Sequence, residues 1–307
     1  MPEILQARGK VLLMGEYAIL DGALSVALPV VFGQSMRWEK NISESLHWEA
    51  KDQGELWFQA VFDKQLQVVE TTDSELARRL GHILSSARIL SGQRNLFLSS
   101  KISTATDYPR FWGLGSSATL LALLAAFSGV NPYLLQADTF GGSGYDVACA
   151  FAKGPILYQR TQVSNPFVAP VSIAPEVRRY FYFVYSGRKQ SSSDEIHRYR
   201  QVSSNKKKEI VERISALTQA FLKASDFETA SEVLKEHENQ IGLLIQKTPI
   251  QVLQFQDFEG VVKSLGAWGG DFLLAYTKRP PEEVKNYFET RNLWPVFQYH
   301  EFIYDTE

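Results

Sequence analysis

Four glycine-bearing segments, distributed over most of the chain, constrain its fold more than any other feature of the sequence. They are residues 9–17 (GKVLLMGEY), 113–118 (GLGSSA), 141–146 (GGSGYD) and 263–271 (KSLGAWGGD). Glycine allows sharp turns and a close approach of the backbone to a ligand, because it has no Cβ. One such segment is a common accident, but four in one chain indicate a site for a phosphorylated ligand and favour phosphoryl transfer.

The bulk composition narrows the setting in which the chain works. Its 307 residues suit one large domain or two of ordinary size, and a formal net charge of −2 predicts no strong attraction to nucleic acid or to an anionic membrane. The longest apolar stretch, residues 118–130, is shorter than the roughly 20 residues that span a bilayer. A single cysteine, Cys149, excludes an internal disulfide, and no secretory signal follows Met1. We therefore expect a cytoplasmic protein without nucleic-acid or membrane partners.

The pattern of apolar residues predicts strands and helices that mix without strict alternation. Apolar runs predict strands at residues 10–14, 25–32 (broken by Pro29), 57–62, 96–102, 156–159, 181–185 and 272–276. Helical spacing predicts helices at residues 76–87, 116–127, 208–224, 229–246 and 281–288. The fold class is therefore α+β. A proline-containing stretch near residues 160–175 divides the chain into an N-terminal domain at 1–165 and a C-terminal domain at 166–307.

The segment at residues 113–118 carries the strongest chemical indication. Small residues at the start of a helix leave its first N–H groups accessible, and the helix dipole favours an anion such as a di- or triphosphate there. The hydroxyls of Ser116 and Ser117 can donate to phosphate oxygens, or one of them can ligate Mg²⁺. The structural alternative is a serine that caps a core helix. The string also fits the dinucleotide pattern Gly-x-Gly-x-x-Ala with Asp138 downstream, although Pro109 stands where a central strand would lie.

Two residues in the other segments are candidates for chemistry. Asp146 follows a flexible turn and begins a helical stretch. Kinases that phosphorylate a hydroxyl often use an aspartate in such a place to orient or deprotonate that hydroxyl. The alternative is that Asp146 only caps the helix. Lys10 begins an apolar strand, from which it can offset the charge of a transferring phosphoryl group; the alternative is a solvated lysine at a strand edge. Residues 263–271 either approach the ligand or form a tight turn and nothing more. The five histidines show no metal-ligand spacing, and no motif indicates a hydrolase.

In this order, the segments resemble the motifs of the GHMP kinase superfamily, which includes galactokinase, homoserine kinase, mevalonate kinase and phosphomevalonate kinase. Residues 8–22 are similar to its first motif, 113–118 to its phosphate-binding motif, 142–146 to the segment with the catalytic aspartate, and 263–271 to its third motif. Residues 185–193 are similar to a substrate-side loop of the mevalonate and phosphomevalonate kinases. The resemblance implies two domains, the first with a left-handed β-α-β unit and the second ferredoxin-like, with ATP and the acceptor between them.

The resemblance also implies roles for individual residues. Asp146 takes the proton of the acceptor hydroxyl, Lys10 stabilises charge, and Mg²⁺ accompanies ATP with Ser117 as a ligand. The nucleotide-binding residues it implies are Gly113, Leu114, Gly115, Ser116, Ser117 and Ala118. The substrate-binding residues it implies are Glu16, Tyr17, Ser143, Gly144, Lys189, Gly266 and Gly269.

The chain departs from the family pattern at three places. Residues 110–112 (RFW) replace a proline-rich lead-in, and Trp268 stands where a glycine is usual. The metal-binding glutamate expected before Asp146 is absent, so Asp138, the one acid between Ser117 and Asp146, is the substitute ligand.

The resemblance leaves the acceptor and the activity open. Mevalonate is favoured, while the third motif is closer to that of phosphomevalonate kinase, whose acceptor would need cations such as Arg110, Arg188 or Lys189. A catalytically silent relative that binds nucleotide or metabolite, and an NAD-dependent oxidoreductase, are alternatives. The partners expected are small molecules, and the chain is either a monomer or a homodimer.

Overall fold

A computed structural model describes residues 3–187, 193–266 and 268–306. Within this part of the chain, the first half forms an eight-stranded mixed sheet in the order β5-β4-β3-β6-β2-β7-β8, and β1 pairs with β2 off this path. Its strands are β1 (Glu3–Met14), β2 (Ser25–Lys40), β3 (Leu46–Asp52), β4 (Glu55–Phe62), β5 (Val68–Thr71), β6 (Ser100–Thr106), β7 (Ile156–Gln159) and β8 (Phe167–Pro170).

Strand β2 is the central element of this sheet and runs through Pro29 to Lys40, although the sequence predicted an interruption at the proline. Antiparallel β1 pairs along most of one edge. On the other edge, residues 25–27 pair with β7 and residues 34–40 pair with β6, so Pro29 lies in the gap between these two ladders. The C-terminal segment fills this gap, where the N–H of Tyr304 donates to the carbonyl oxygen of Pro29.

The helices of the first half pack on this sheet. They are α1 (Ser74–Ser91), α2 (Ser116–Ser128), α3 (Pro132–Thr139) and α4 (Tyr145–Cys149), with 3₁₀ turns at Ala18–Asp21 and Arg110–Trp112. Helix α1 lies in the chain between β3 and β6, which pair in parallel and so form a β-α-β unit. Helix α2 is apolar on nearly every side because it is buried against β1, β2 and the neighbouring helices.

The second half has the ferredoxin-like arrangement expected from the family resemblance. Its elements are α5 (Pro175–Arg178), β9 (Phe181–Tyr185), α6 (Ser193–Gln201), α7 (Ser204–Lys223), α8 (Phe227–Ile245), α9 (Ile250–Gln254), β10 (Val261–Leu265), β11 (Phe272–Tyr276), α10 (Pro281–Glu289), β12 (Val296–Gln298) and α11 (Tyr299–Phe302). The four strands form an antiparallel sheet in the order β10-β11-β9-β12. All residues of β9, β10 and β11 are buried, which explains the continuous apolar runs of β9 and β11; β10 contains the buried polar residues Lys263 and Ser264.

The two halves share one hydrophobic cluster, in which Val11 and Leu28 of the first sheet belong together with Phe183 and Phe272 of the second. The C-terminal segment also returns to the first half, where Ile303 forms a β-bridge with Val30. Strand β8 pairs with β7 and thus belongs to the first sheet. No helix in the described ranges is both long and apolar enough to cross a bilayer.

Candidate active site

A cavity of about 490 Å³ lies where the two halves meet. Its first-half lining comes from β1, the α2 N-terminus, α3 and the 141–146 turn, and its second-half lining comes from α6, β10 and β11. The polar and charged side chains on its wall are Lys10, Tyr17, Ser117, Gln136, Ser143, Tyr145, Asp146 and Asp271. The cavity therefore brings three of the four glycine-bearing segments and part of the fourth to one place.

Lys10 is the cation of this wall. Its Nζ lies 3.4 Å from the carbonyl oxygen of Gly113, to which it donates, and 5.6 Å from the centre of the Tyr145 ring. Burial alone would lower the pKa of Lys10, but the nearby Tyr145, Asp146 and Asp271 outweigh burial and raise it above the ordinary value. Lys10 is therefore an ammonium at neutral pH and can stabilise added negative charge in the cavity. Burial raises the pKa of Tyr145 to about 12, so this phenol stays neutral.

The 113–118 loop forms the N-terminus of α2, as the sequence predicted. Gly113 (φ 69°) and Gly115 (φ 90°) are left-handed, and Gly115 is the N-cap, without a side-chain cap. A Cβ on Gly115 would lie 3.0 Å from Cε of Lys10, so glycine lets the lysine side chain pass beside the loop. The 13-residue helix thus presents the positive end of its dipole, without a side-chain cap, next to an ammonium, and both favour an anion.

Asp146 lies at the start of α4, lines the same cavity as this loop and is partly buried. Its Oδ1 accepts hydrogen bonds from Nε2 of Gln136 (3.3 Å) and from the backbone N–H of Val147 (3.1 Å). Gly142 (φ 101°) and Gly144 (φ 92°) shape the preceding turn in a conformation that other residues rarely adopt. The sequence singled out Asp146 but gave no sign of Gln136.

Asp271, the last residue of the 263–271 segment, is a second carboxylate on the cavity wall, for which the sequence predicted no role. A Cβ on Gly113 would lie 1.8 Å from its Oδ2, so this carboxylate packs directly against the anion-binding loop. It also contributes to the raised pKa of Lys10. The third segment therefore reaches the site through its last residue, Asp271, and through Gly266, which lines the cavity.

Glu16, expected to bind substrate, does not line the cavity. It is 3% exposed, and its Oε1 accepts from Nζ of Lys263 at 2.6 Å. Lys263, fully buried in β10, also donates to the carbonyl oxygens of Leu13 and Ser264. Burial raises the pKa of Glu16, and the attraction of Lys263 offsets part of that effect. Glu16 and Lys263 join the first and third segments beneath the cavity floor.

Tyr17 and Trp268 form a second connection between the same segments. Tyr17 lines the cavity, and its hydroxyl accepts the backbone N–H of Trp268 at 2.8 Å. The Trp268 indole packs against α8, where a Cβ on Gly242 would lie 3.2 Å from the ring. This residue, which stands where the family has a glycine, therefore anchors its loop to the second half.

The remaining predicted residues divide into those on the cavity wall and those away from it. Leu114, Ser117, Ala118 and Ser143 line the cavity. Ser116 lines a neighbouring cavity, while Gly144 and Gly269 are near the wall without lining it. Lys189 lies outside the described residues.

Asp138, expected to hold a metal, lies on the exposed face of α3 and does not line the cavity. Gln136, two residues earlier, takes the inward position. The described residues contain no group of three or more His, Cys, Asp or Glu side chains arranged to hold a metal ion.

A second cavity of about 520 Å³ adjoins the first and shares Ser117 and Phe140 with it. Its wall combines aromatic and aliphatic side chains, such as Trp57, Phe111 and Leu80, with the cations Lys51, Arg79 and Arg110. The guanidinium of Arg110 stacks 4.2 Å from the Trp57 ring at this wall. The start of α2 therefore lies between a cavity with Lys10 and Asp146 and a second cavity that combines aromatic rings with cations.

Comparisons with known proteins extend these observations. No family model matches the chain, and a search of curated proteins found no match. The phosphomevalonate kinase of Streptococcus pneumoniae, solved in complex with phosphomevalonate and AMPPNP, is similar with a TM-score of 0.71 and 18% identity over 96% of this chain and 99% of that one. The mevalonate kinase of Methanococcus jannaschii is similar with a TM-score of 0.70 and 14% identity over 97% of each chain. The galactokinase of Lactococcus lactis, solved with galactose, is similar with a TM-score of 0.69 and 14% identity over 96% of this chain and 92% of that one. All three are GHMP kinases. The predicted resemblance is thus confirmed at the level of structure: the chain has the α+β fold of the GHMP kinase superfamily.

Proposed function

We propose that this protein is an ATP- and Mg²⁺-dependent kinase that transfers the γ-phosphate of ATP to a hydroxyl of mevalonate. The observation that carries the proposal is the shared cavity of three groups: the uncapped N-terminus of α2, the Lys10 ammonium and the Asp146 carboxylate. An anion site, a cation and a base in one place are the parts that phosphoryl transfer to an alcohol requires. A cytoplasmic location, expected from the cysteine usage, belongs to the same proposal.

The two cavities suit the two parts of a nucleotide. The second cavity offers the exposed rings of Trp57 and Phe111 as surfaces for a flat base, and the start of α2 offers N–H groups to the phosphates. Because Ser117 borders both cavities, a triphosphate at this point reaches from the base pocket toward Lys10.

Mg²⁺ fits this site with few protein ligands. Mg²⁺ in phosphoryl-transfer sites is bound by one or two side chains and takes its other ligands from phosphates and water. The Ser117 hydroxyl, at the helix start and on the cavity wall, is the ligand we propose. When bound, the ion neutralises charge on the phosphates; the exposed Asp138 is not part of this site.

The proposed reaction assigns one task to each group. Asp146 accepts the proton of the acceptor hydroxyl as its oxygen attacks the γ-phosphorus, and the bond from that phosphorus to the bridging oxygen of ADP breaks. Lys10 and the N–H groups of α2 stabilise the charge that spreads over the phosphoryl oxygens and the leaving ADP.

Mevalonate rather than phosphomevalonate is the acceptor that the charges of the cavity favour. Among the described residues on the wall, Lys10 is the one cation, and it faces the carboxylates of Asp146 and Asp271. Both acceptors bring one carboxylate charge to this balance, and the phosphate of phosphomevalonate would add about two more negative charges.

The test is to mix purified protein with ATP, Mg²⁺ and a panel of mevalonate, phosphomevalonate, homoserine and galactose, and to follow ADP release. We expect turnover with mevalonate, reduced roughly 10²- to 10⁴-fold by Asp146→Asn, as is usual on loss of a general base. Asp257→Asn, at an exposed aspartate paired with Arg291 in the second half, is the matched control.

Each outcome of this assay has a distinct reading. Turnover with phosphomevalonate alone would replace the acceptor but keep the kinase. ATP binding without ADP release from any acceptor would favour a silent nucleotide-binding relative, and preferential binding of NAD would favour the oxidoreductase.

A further inference from the structure

Gln136 is a polar residue that none of the proposed steps uses, although it is almost completely buried at the active site. It lies on α3, is 6% exposed and forms part of the cavity wall beside Asp146. A glutamine is rarely buried in this way unless its amide is hydrogen-bonded. Its hydrogen bonds therefore show what it contributes.

The amide of Gln136 makes its hydrogen bond to Asp146. Nε2 donates to Oδ1 of Asp146 at 3.3 Å, while Oε1 is buried without a partner among the described residues. The reverse orientation of the amide would place Oε1 against the carboxylate oxygen, with no proton between them. The position of the amide is thus set by Asp146.

The glycine turn leaves space for this amide. A Cβ on Gly142 would lie 3.3 Å from Nε2 of Gln136, and one on Gly144 would lie 3.7 Å from Oε1. Both glycines have a left-handed backbone, so the turn follows the amide closely on two sides. The turn, Gln136 and Asp146 consequently form one packed unit.

Within the described residues, both hydrogen bonds that Asp146 accepts end on Oδ1. This leaves Oδ2 for a bound molecule. We propose that Gln136 is a positioning residue: it holds Oδ1 of Asp146 so that Oδ2 receives the proton of the acceptor hydroxyl. This role rests on the proposed kinase function.

The energetics of the buried amide separate this role from a structural one. A buried oxygen without a donor destabilises the fold, whereas a leucine of similar size at the same place would have no unpaired group. Gln136 thus brings a buried oxygen without a donor to the site, and its hydrogen bond to Asp146 is the contact that leucine would lose. A residue with only a packing role needs no amide at this position.

The experiment is a double-mutant cycle between Gln136→Leu and Asp146→Asn, with kcat and KM measured by ADP release with the acceptor that the wild type uses. We expect Gln136→Leu to lower kcat roughly 10- to 100-fold, as does loss of a hydrogen bond to a charged group, with a smaller change in KM. In the Asp146→Asn background the same substitution should have little further effect, because its action passes through that carboxylate. The melting temperature of Gln136→Leu should equal or exceed that of the wild type.

The control is Gln93→Leu, at an exposed glutamine beyond the C-terminus of α1, which should leave kcat unchanged. Losses that multiply in the double variant, or a Gln136→Leu protein that melts lower and keeps its kcat, would overturn the positioning role. A wild type without turnover on any acceptor is a different result: it would refute the kinase function itself, and the role of Gln136 with it.

Discussion

Replacing Lys263 with methionine removes the ammonium that holds the first and third segments together beneath the cavity. Its Nζ donates to Oε1 of Glu16 at 2.6 Å and to two carbonyl oxygens, and both side chains of the pair are almost fully buried. Methionine fills similar space without these bonds and leaves the Glu16 carboxylate buried without its cation. Loss of one partner of a buried ion pair costs about 3–5 kcal/mol, so we expect the free energy of unfolding to fall by that amount.

Urea unfolding followed by fluorescence and by circular dichroism measures this change, at a pH where Glu16 and Lys263 are paired. Lys278→Met is the matched control, because the Lys278–Glu228 pair lies on the surface at 2.5 Å with both side chains more than half exposed. It should leave the free energy of unfolding nearly unchanged, since exposed pairs contribute little.

The double variant Glu16→Gln, Lys263→Met supplies the decisive comparison. Removing both charges relieves the unpaired carboxylate, so it should recover most of the stability that Lys263→Met loses. A loss below about 1 kcal/mol in Lys263→Met would show that the pair does not join the two segments as argued. So would a double variant that is no more stable than the single one.

Three further predictions concern the site and its surroundings. Gly115→Ala places a Cβ 3.0 Å from Cε of Lys10 at a left-handed backbone position. The affinity for ATP, measured by titration with a fluorescent nucleotide, should therefore fall at least roughly tenfold. Gly92→Ala is the control, because Gly92 is also left-handed but has open space around it, and this variant should keep the affinity of the wild type. Lys10→Met should lower kcat for ADP release roughly 10²- to 10³-fold, as does the loss of one donor to developing charge, and a smaller loss would reject its role. Burial raises the pKa of Glu238 to about 7 from 4.5, so the folded state holds the proton more tightly and stability falls as pH rises through that window. Glu238→Gln removes this pH dependence. The free energy of unfolding of the variant, relative to that of the wild type, should therefore rise by up to about 3 kcal/mol between pH 5 and pH 8. If the free energies of unfolding of the two proteins changed equally with pH, the burial argument would be contradicted.

Much of the fold was predictable because its buried strands are short, continuous apolar runs. Strands β7, β9 and β11 coincide with the predicted ranges, and helices α1, α2, α7, α8 and α10 lie where helical spacing placed them, with ends that differ by a few residues. Strand β3 was missed although its burial alternates as in a half-buried strand and its hairpin partner β4 follows after a short turn. Its parallel pairing with β6, about 50 residues away, has no local signal in the sequence.

The start of α2 was predictable for a related reason: Gly113, Gly115 and the two serines act through local backbone geometry, which the sequence encodes directly. The buried position of Glu16 was not predictable, because its partner Lys263 lies nearly the whole chain away in the sequence. The two residues form a buried ion pair.

The contrast between Gln136 and Asp138 depends on helix phase. The two residues lie about 200° apart on α3, so that one faces the cavity and the other faces solvent. Asn131 caps this helix and Pro132 begins it, and these two residues are the signal from which the phase follows. Chemical type alone pointed to the acid rather than to the amide.

A crystal structure with a non-hydrolysable ATP analogue and Mg²⁺ tests the central claim most directly. We predict that the base lies against Trp57 and Phe111, that the phosphates contact the N–H groups of residues 115–117, and that the γ-phosphate lies beside Lys10 on the side of Asp146. A nucleotide bound elsewhere, or a γ-phosphate separated from Asp146 by the wall of the cavity, would contradict the account.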